Sequence, residues 1–502
     1  MAEQTRTEHT GADRERTREY SERLYNEDLR PLKQDEREWT TYSLFATWMA
    51  DVHSIGGYTF AAGLFFLGLT GWQVFLALMV GITAVYFLMN LISVAGQQQG
   101  VPYPVLTRIS FGVFGANLPA LIRAVIATFW YGIQTWLASV AVLILLLEIF
   151  PGLEPLTENS IIGLSTLGWI CFLGMWGVQL LVLRNGMDSI RTLVDWSGPA
   201  IYVAMFALAA WIWYEAGSDM SFNLGSRDLS TGQTVFVFFT AAALVVNYFS
   251  TLMLNFCDFS RWAPSARMVR RGNFWGLPVN FMLFSAVVVI TTAGSISVFG
   301  EAITDPVELV GEIPSTLALA IGALTFAIAT VGINIVANFV GPSYDFANAF
   351  PKYIDFKRGG LITAVLAILV MPWYIFNSPV AINYFLGGLG ALLGPIFGVI
   401  VIDYYLIKRG RIQVHALFRE GSEEPYWYRR GWNPDALYAF VPASITALIF
   451  ALVPTFGDVA PFSWFIGAAI SAAVYWMVAK RHRTVVMPEH TENGDSQEPR
   501  EE

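Results

Sequence analysis

The chain is poor in charge and almost without cysteine. Only 14% of its 502 residues are Asp, Glu, Lys or Arg, and two are Cys. A soluble domain carries roughly 25% charged residues, so an ordinary soluble enzyme is excluded, and so is a disordered chain. Cys171 and Cys257 both lie in apolar runs, which leaves no disulfide framework and no cysteine-based metal site. A Walker-type phosphate loop and a His-Glu-x-x-His motif are also missing, so neither an ATPase nor a metalloenzyme is indicated. No cofactor and no metal is expected. The net charge of −9 lies mostly outside the apolar runs and does not point to nucleic acid.

Hydrophobic and aromatic residues are abundant. They make up 55% and 15% of the chain, with 17 Trp and 37 Phe, and the mean hydropathy is +0.50. A membrane-spanning helix needs about 20 mostly apolar residues. Twelve candidate segments meet this: 43–68, 72–96, 117–147, 160–183, 196–215, 234–257, 274–299, 314–339, 360–376, 380–407, 436–454 and 461–479. With the N-terminus taken as cytoplasmic, 28 of the 30 Lys and Arg fall inside and only Arg227 outside. Arg123, within the third segment, is expected to snorkel to the surface. This bias predicts an even number of crossings in a multi-pass plasma-membrane protein with both termini cytoplasmic. The first segment follows a long polar stretch, so it is no cleavable signal peptide.

Residues 1–38 and 484–502 are charge-dense and read as disordered cytoplasmic tails around one transmembrane domain, 39–483. The stretch 99–116, broken by Pro102, Pro104 and Gly112, reads as a short interfacial or re-entrant element. The stretch 410–433, with Phe418, Tyr426, Trp427, Tyr428 and Trp432, reads as a helix lying on the cytoplasmic surface.

Polar residues inside a membrane are costly and mark function. Asp51, His53 and Ser54 precede Gly56-Gly57 within the first segment. Unwound backbone there would line a cavity, as at transporter sites; alternatively the helix begins near residue 56. Trp130 and Gln134 share a face beside Gly132, suited either to stacking on a flat heterocycle and bonding its edge or to helix packing. Asn334 and Asn338 form a second pair four residues apart, suited to reading an imide or lactam or to an interhelical bond. Asp258 near Arg261 reads as an ion pair or cap at a helix end. The Gly387-Gly388-Leu389-Gly390 run reads as close packing or a hinge.

These motifs, with Gly100-Val101-Pro102-Tyr103-Pro104, Gly115-Ala116-Asn117-Leu118-Pro119, Phe350-Pro351-Lys352 and Met371-Pro372-Trp373, resemble the nucleobase:cation symporter-1 family. Trp48-Met49-Ala50-Asp51-Val52-His53 is similar to its bacterial uracil and allantoin permease branch. The resemblance implies an all-α integral membrane protein of 12 transmembrane helices. Its fold would be a five-plus-five inverted repeat of the LeuT type, with repeats at about 43–215 and 234–407 and two extra helices at about 436–479. It implies substrate contacts at Trp130, Gln134, Phe249, Asn338 and Ser54, with Asn334 and Gly132 in support. Phe249 stands where the hydantoin-carrying branch has Trp. It implies a sodium site built from backbone carbonyls at Ala50 and His53 and from two hydroxyls, but the hydroxyl positions match Gly332 and Ile333. Neither offers a side-chain oxygen to a hard cation, so a proton is favoured over sodium, with Asp51 and His53 as the ion-coupling pair.

The expectation is a secondary active importer, not an enzyme. Its partners would be a coupling cation, the lipid bilayer and a small planar nucleobase, with uracil first and allantoin, hydantoin or cytosine as alternatives. A monomer is expected. A membrane enzyme or sensor is disfavoured, because no nucleophile–base pair or metal cluster is evident in the core.

Overall fold

The structure is a computed structural model that describes residues 20–183, 187–217, 220, 222 and 228–479. Each of the twelve apolar segments holds at least one helix among the described residues. In chain order they are α1a (Thr41–Val52) and α1b (Ile55–Gly63), α2 (Gly71–Gln99), α3 (Asn117–Ile149), α4 (Thr166–Leu183), α5 (Met187–Ala216), α6 (Thr231–Asn255), α7 (Asn280–Phe299), α8a (Thr316–Ile333) and α8b (Val340–Ala349), α9 (Phe356–Leu369), α10 (Pro379–Val401), α11 (Pro434–Leu452) and α12 (Ser463–Ala479). Among the described residues, eight helices are long and apolar enough to cross a membrane, and three apolar helices are shorter.

Local chemistry fixes the helix ends. Thr70 with Gln73, and Ser230 with Gln233, form reciprocal capping boxes at the starts of α2 and α6. Gly100, with φ +70°, terminates α2 in the left-handed region that glycine alone adopts freely. The first segment breaks at His53 and Ser54, just ahead of the Gly pair. Ser54 is extended, and its hydroxyl accepts from Gly57 N at 2.8 Å to cap α1b. The eighth segment is interrupted instead by a π-helix, Asn334–Phe339, which joins α8a to α8b. α3 packs along both halves of α8 and against α4 and α9, while α2 packs along α6, and α11 and α12 close on α10.

Several expectations change at the face carrying residues 20–38. That segment was expected to be disordered, yet Leu24, Leu29 and Leu32 are buried. It runs as a strap across the face. Leu32 N donates to Gly100 O, Asn26 Nδ2 to Ile354 O, and Phe356 N to Asp28 Oδ2, while Arg37 Nη1 reaches Gln97 O. Residues 1–19 and 480–502 lie outside the described residues. The stretch 410–433 is not a surface helix. Pro425, Gly421 and Gly431 break it into turns, and Leu417, Phe418 and Tyr426 are buried beneath the bundle. Residues 99–116 do hold a short helix, Tyr103–Phe111, buried throughout.

Arg123 does not snorkel. It is fully buried and pairs with Asp345 at 2.9 Å, and a Cβ on Gly341 would collide with its guanidinium. Asp258 does not pair with Arg261. Its carboxylate accepts from Tyr103 N and Asn255 Nδ2, while Arg261 donates to Tyr344 Oη at 3.0 Å and to the strap carbonyls of Asp28 and Arg30.

Candidate functional site

The break between α1a and α1b opens into a cavity at the centre of the bundle. It is lined by Asp51 of α1a, Trp130 and Gln134 of α3, Tyr248, Phe249, Thr251 and Leu252 of α6, and Ile333, Ala337 and Asn338 around the π-turn. Four residues separated by up to 208 positions in sequence, Trp130, Gln134, Phe249 and Asn338, thus share one space.

Each is held by local structure. One helical turn separates Trp130 from Gln134 on α3. Gln134 lies close against Gly56: a Cβ there would lie 2.9 Å from Gln134 Nε2 and push the amide aside. Gln134 Oε1 is buried and has no hydrogen-bond partner among the described residues. Trp130 meets Tyr248 edge-on at 5.9 Å and Phe385 of α10 at 5.6 Å between ring centroids. Tyr248 also stacks on Phe60 at 4.6 Å, and Phe249 packs on Phe281. Aromatic rings and the amides of Gln134 and Asn338 therefore line the same cavity.

The two asparagines divide their work. Asn334 Nδ2 points away from the cavity, within hydrogen-bond reach of Tyr131 O, Thr135 Oγ1 and Gln179 Oε1 at 2.9, 3.0 and 2.8 Å. Its own Oδ1 accepts from Asn338 Nδ2 at 3.0 Å. Asn334 thus orients Asn338, which lines the cavity.

Three expected residues stand elsewhere. Ser54 caps α1b and is not part of the lining. Gly132 faces α9, where a Cβ would lie 3.1 Å from Ala367 O, so it is a packing notch. Asp51 and His53 do not meet as a pair. Asp51 faces the cavity, whereas His53 lies in the junction of α1a with α5 and α7. There His53 Nε2 is 3.3 Å from Asn280 Oδ1, His53 Nδ1 is 3.0 Å from Met205 Sδ, and Tyr202 Oη donates to the same Asn280 oxygen. Ala50 is fully buried beside this break. Gly332 and Ile333 bring no hydroxyl, but Thr330, one residue pair earlier on α8a, accepts from Ile55 N at 3.3 Å.

The sequence reading missed Tyr248 as a wall of the site and Phe385 as the ring that backs Trp130. Tyr248 adjoins Phe249, and Phe385 precedes the Gly387-Gly388 pair, so each lay beside a noted position. Among the described residues no group of three His, Cys, Asp or Glu side chains gathers as a metal site would require.

Known proteins resemble this chain in sequence and in fold. Residues 31–478 match the family model described as permease for cytosine/purines, uracil, thiamine, allantoin. The chain is 36% identical to the allantoin permease of Bacillus subtilis (strain 168), over 93% of this chain and 95% of that protein. It is 32% identical to the purine-uracil permease NCS1 of Arabidopsis thaliana, over 91% and 78%. In structure it is similar to Mhp1, a nucleobase-cation-symport-1 family transporter, in a closed conformation with bromovinylhydantoin bound. The TM-score is 0.76 at 22% identity, covering 91% of this chain and 96% of that one; against the inward-facing form of Mhp1 it is 0.70. A break in the first helix, an aromatic cavity at that break and a family match over nearly the whole chain lead to one conclusion: the protein is a membrane transporter of the nucleobase:cation symporter-1 family.

Proposed function

We propose that the protein is a secondary active importer of a small planar nucleobase or related cyclic amide, working by alternating access with no covalent step. The observation that carries this is the convergence of Trp130, Phe249, Gln134 and Asn338 on one cavity at the helix break. Aromatic faces stack a flat ring, and amides with both donors and acceptors read its edge. Uracil heads the sequence expectation. Allantoin, hydantoin and cytosine share the features this set of residues recognises.

The proposal includes twelve crossings, two inverted five-helix repeats, and both termini on the cytoplasmic side of the plasma membrane. The 28-to-1 distribution of Lys and Arg supports that orientation. Protons are the proposed coupling ion, because Gly332 and Ile333 stand where hydroxyls would serve sodium. Asp51, which faces the cavity, and His53, whose hydrogen bonds tie α1a to α5 and α7, are the proposed proton-coupling residues, acting at separate places along the break.

Uptake of radiolabelled uracil and allantoin into cells, against a vector control, tests the substrate class. Accumulation of neither would overturn the reading. Vesicles with imposed gradients test the ion. Uptake driven by an inward sodium gradient at symmetric pH, untouched by a protonophore, would overturn proton coupling.

A further inference from the structure

We infer that the groove between α1a, α5 and α7 binds one anionic phospholipid, with its phosphate on Arg267 and Arg271 and an acyl chain in the cavity below them. This is a second site, apart from the central cavity, and it stands whichever ring is carried.

The groove holds its own cavity. Phe45 of α1a, Tyr202 and Phe206 of α5, and Trp275, Val279 and Leu283 line it, together with Asn280. Phe206, Trp275 and Leu283 are exposed, and exposed apolar side chains on the spanning helices of a membrane transporter face lipid. The amide in the lining is already engaged. Asn280 Oδ1 accepts from Tyr202 Oη and lies 3.3 Å from His53 Nε2, and Asn280 Nδ2 donates to Trp48 O at 3.3 Å. An occupant meets apolar surface there, which suits a hydrocarbon chain and penalises a polar group.

The other end of the ligand is met by the same helix. α7 runs back through a π-turn, Trp275–Val279, into a helix Ala266–Phe274, so that Ala266–Phe299 is continuous. Arg267, Arg271, Trp275, Val279 and Leu283 fall at every fourth position along it, and residues four apart share a face. The last three line the cavity, and the two arginines extend the row beyond it. At a rise of 1.5 Å per residue, Arg271 stands about 6 Å along the axis from Trp275, and Arg267 about 12 Å. Both arginines are exposed and have no ion-pair or hydrogen-bond partner among the described residues. On α5, Asp195 is already paired with Arg191 at 3.9 Å. Guanidinium groups match phosphate in charge and in fork geometry. One face thus offers two cations and then an apolar slot, the order in which a phospholipid presents phosphate and chain. A zwitterionic lipid carries its own cation beside the phosphate and gains less from the arginines.

Native mass spectrometry of the purified full chain in detergent tests this, with phosphatidylglycerol and phosphatidylcholine of identical acyl chains. One phosphatidylglycerol should bind about 10- to 30-fold more tightly than phosphatidylcholine, as two arginines at a membrane surface predict. Arg267→Ala/Arg271→Ala should bring the two lipids within about threefold of each other, and Arg271→Gln alone should cut the preference by about fivefold. Arg429→Ala/Arg430→Ala, which removes two exposed arginines elsewhere, should leave it unchanged. Val279→Trp, which fills the cavity, should weaken both lipids and keep their ratio. Equal binding of the two lipids by the unaltered protein would overturn the inference. So would a preference that survives in Arg271→Gln, or one that falls as far in Arg429→Ala/Arg430→Ala, since charge alone would then explain it. Phosphatidylglycerol held as tightly by Val279→Trp, or displaced by millimolar inorganic phosphate, would overturn the seating of the chain. None of these results touches the transport reading, which rests on the central cavity.

Discussion

The central cavity and the strap-covered face treat buried polar groups in opposite ways. At the face each buried guanidinium has at least two partners, although Arg123 Nε, Asp345 Oδ1 and Arg261 Nε have none among the described residues. Arg123 meets Asp345, Arg108 reaches Asn348 Oδ1 and Leu417 O, and Arg261 reaches Tyr344 and two strap carbonyls. In the cavity, Asp51 and Gln134 Oε1 are without partners among the described residues. Buried polar groups cost stability unless satisfied. A matched network therefore contributes to holding the fold, whereas an unmatched set is complementary to something that arrives later. The comparison separates residues whose loss should lower stability from those whose loss should lower affinity.

The sharpest break would come at Arg123. Arg123→Ala strands Asp345 as an unpaired buried charge, at about 3–5 kcal/mol. Thermal melting in detergent should show a large fall in Tm or no folded protein; a Tm within a few degrees of the unaltered chain would contradict the pairing. Trp130→Ala should do the reverse. It removes ring stacking of about 1–3 kcal/mol, or about 10- to 100-fold in affinity for allantoin or uracil, with little change in melting. Asn334→Ala and Asn338→Ala sharpen the line between the two classes, since the residues touch. Losing Asn334 leaves Gln179 Oε1 without its donor and should cost stability of about 1–3 kcal/mol. Losing Asn338 should chiefly cost affinity, and equal melting of the two variants would erase the distinction.

The smallest effect concerns the strap. Arg30 bonds the Glu36 carboxylate and holds its pKa below the usual carboxylate value. A lowered folded value means the pair stabilises fully above about pH 4.3, the ordinary Glu value, and that this is lost as pH falls through the lowered one. The contribution is under about 1 kcal/mol. Hydrogen exchange of residues 20–38 should quicken on acidification, and Glu36→Gln should remove that pH dependence.

The sequence exposed the aromatic and amide residues well, because Trp130 and Gln134 declare a shared face by their spacing of four. That same geometry argues against Asp51 and His53 acting as one pair: residues two apart on a helix of 3.6 residues per turn point to different sides. Arg123 was misread because its partner lies 222 positions away, beyond any local pattern. The strap was read as disordered from its charge. Its order comes from three buried leucines and from bonds to backbone carbonyls, which leave no mark in composition.

That strap touches both Arg261, beyond the end of α6, and the 351–356 turn between α8b and α9. If transport opens this face by parting those two regions, the strap must let go of at least one of them in every cycle. Trypsin cleaves after Lys33 and Arg37, and both lie on it. Cutting at these positions would then act as a clock, slow while the face stays shut and fast while it stands open. Adding substrate should change the cutting rate without any label, gradient or intact cell.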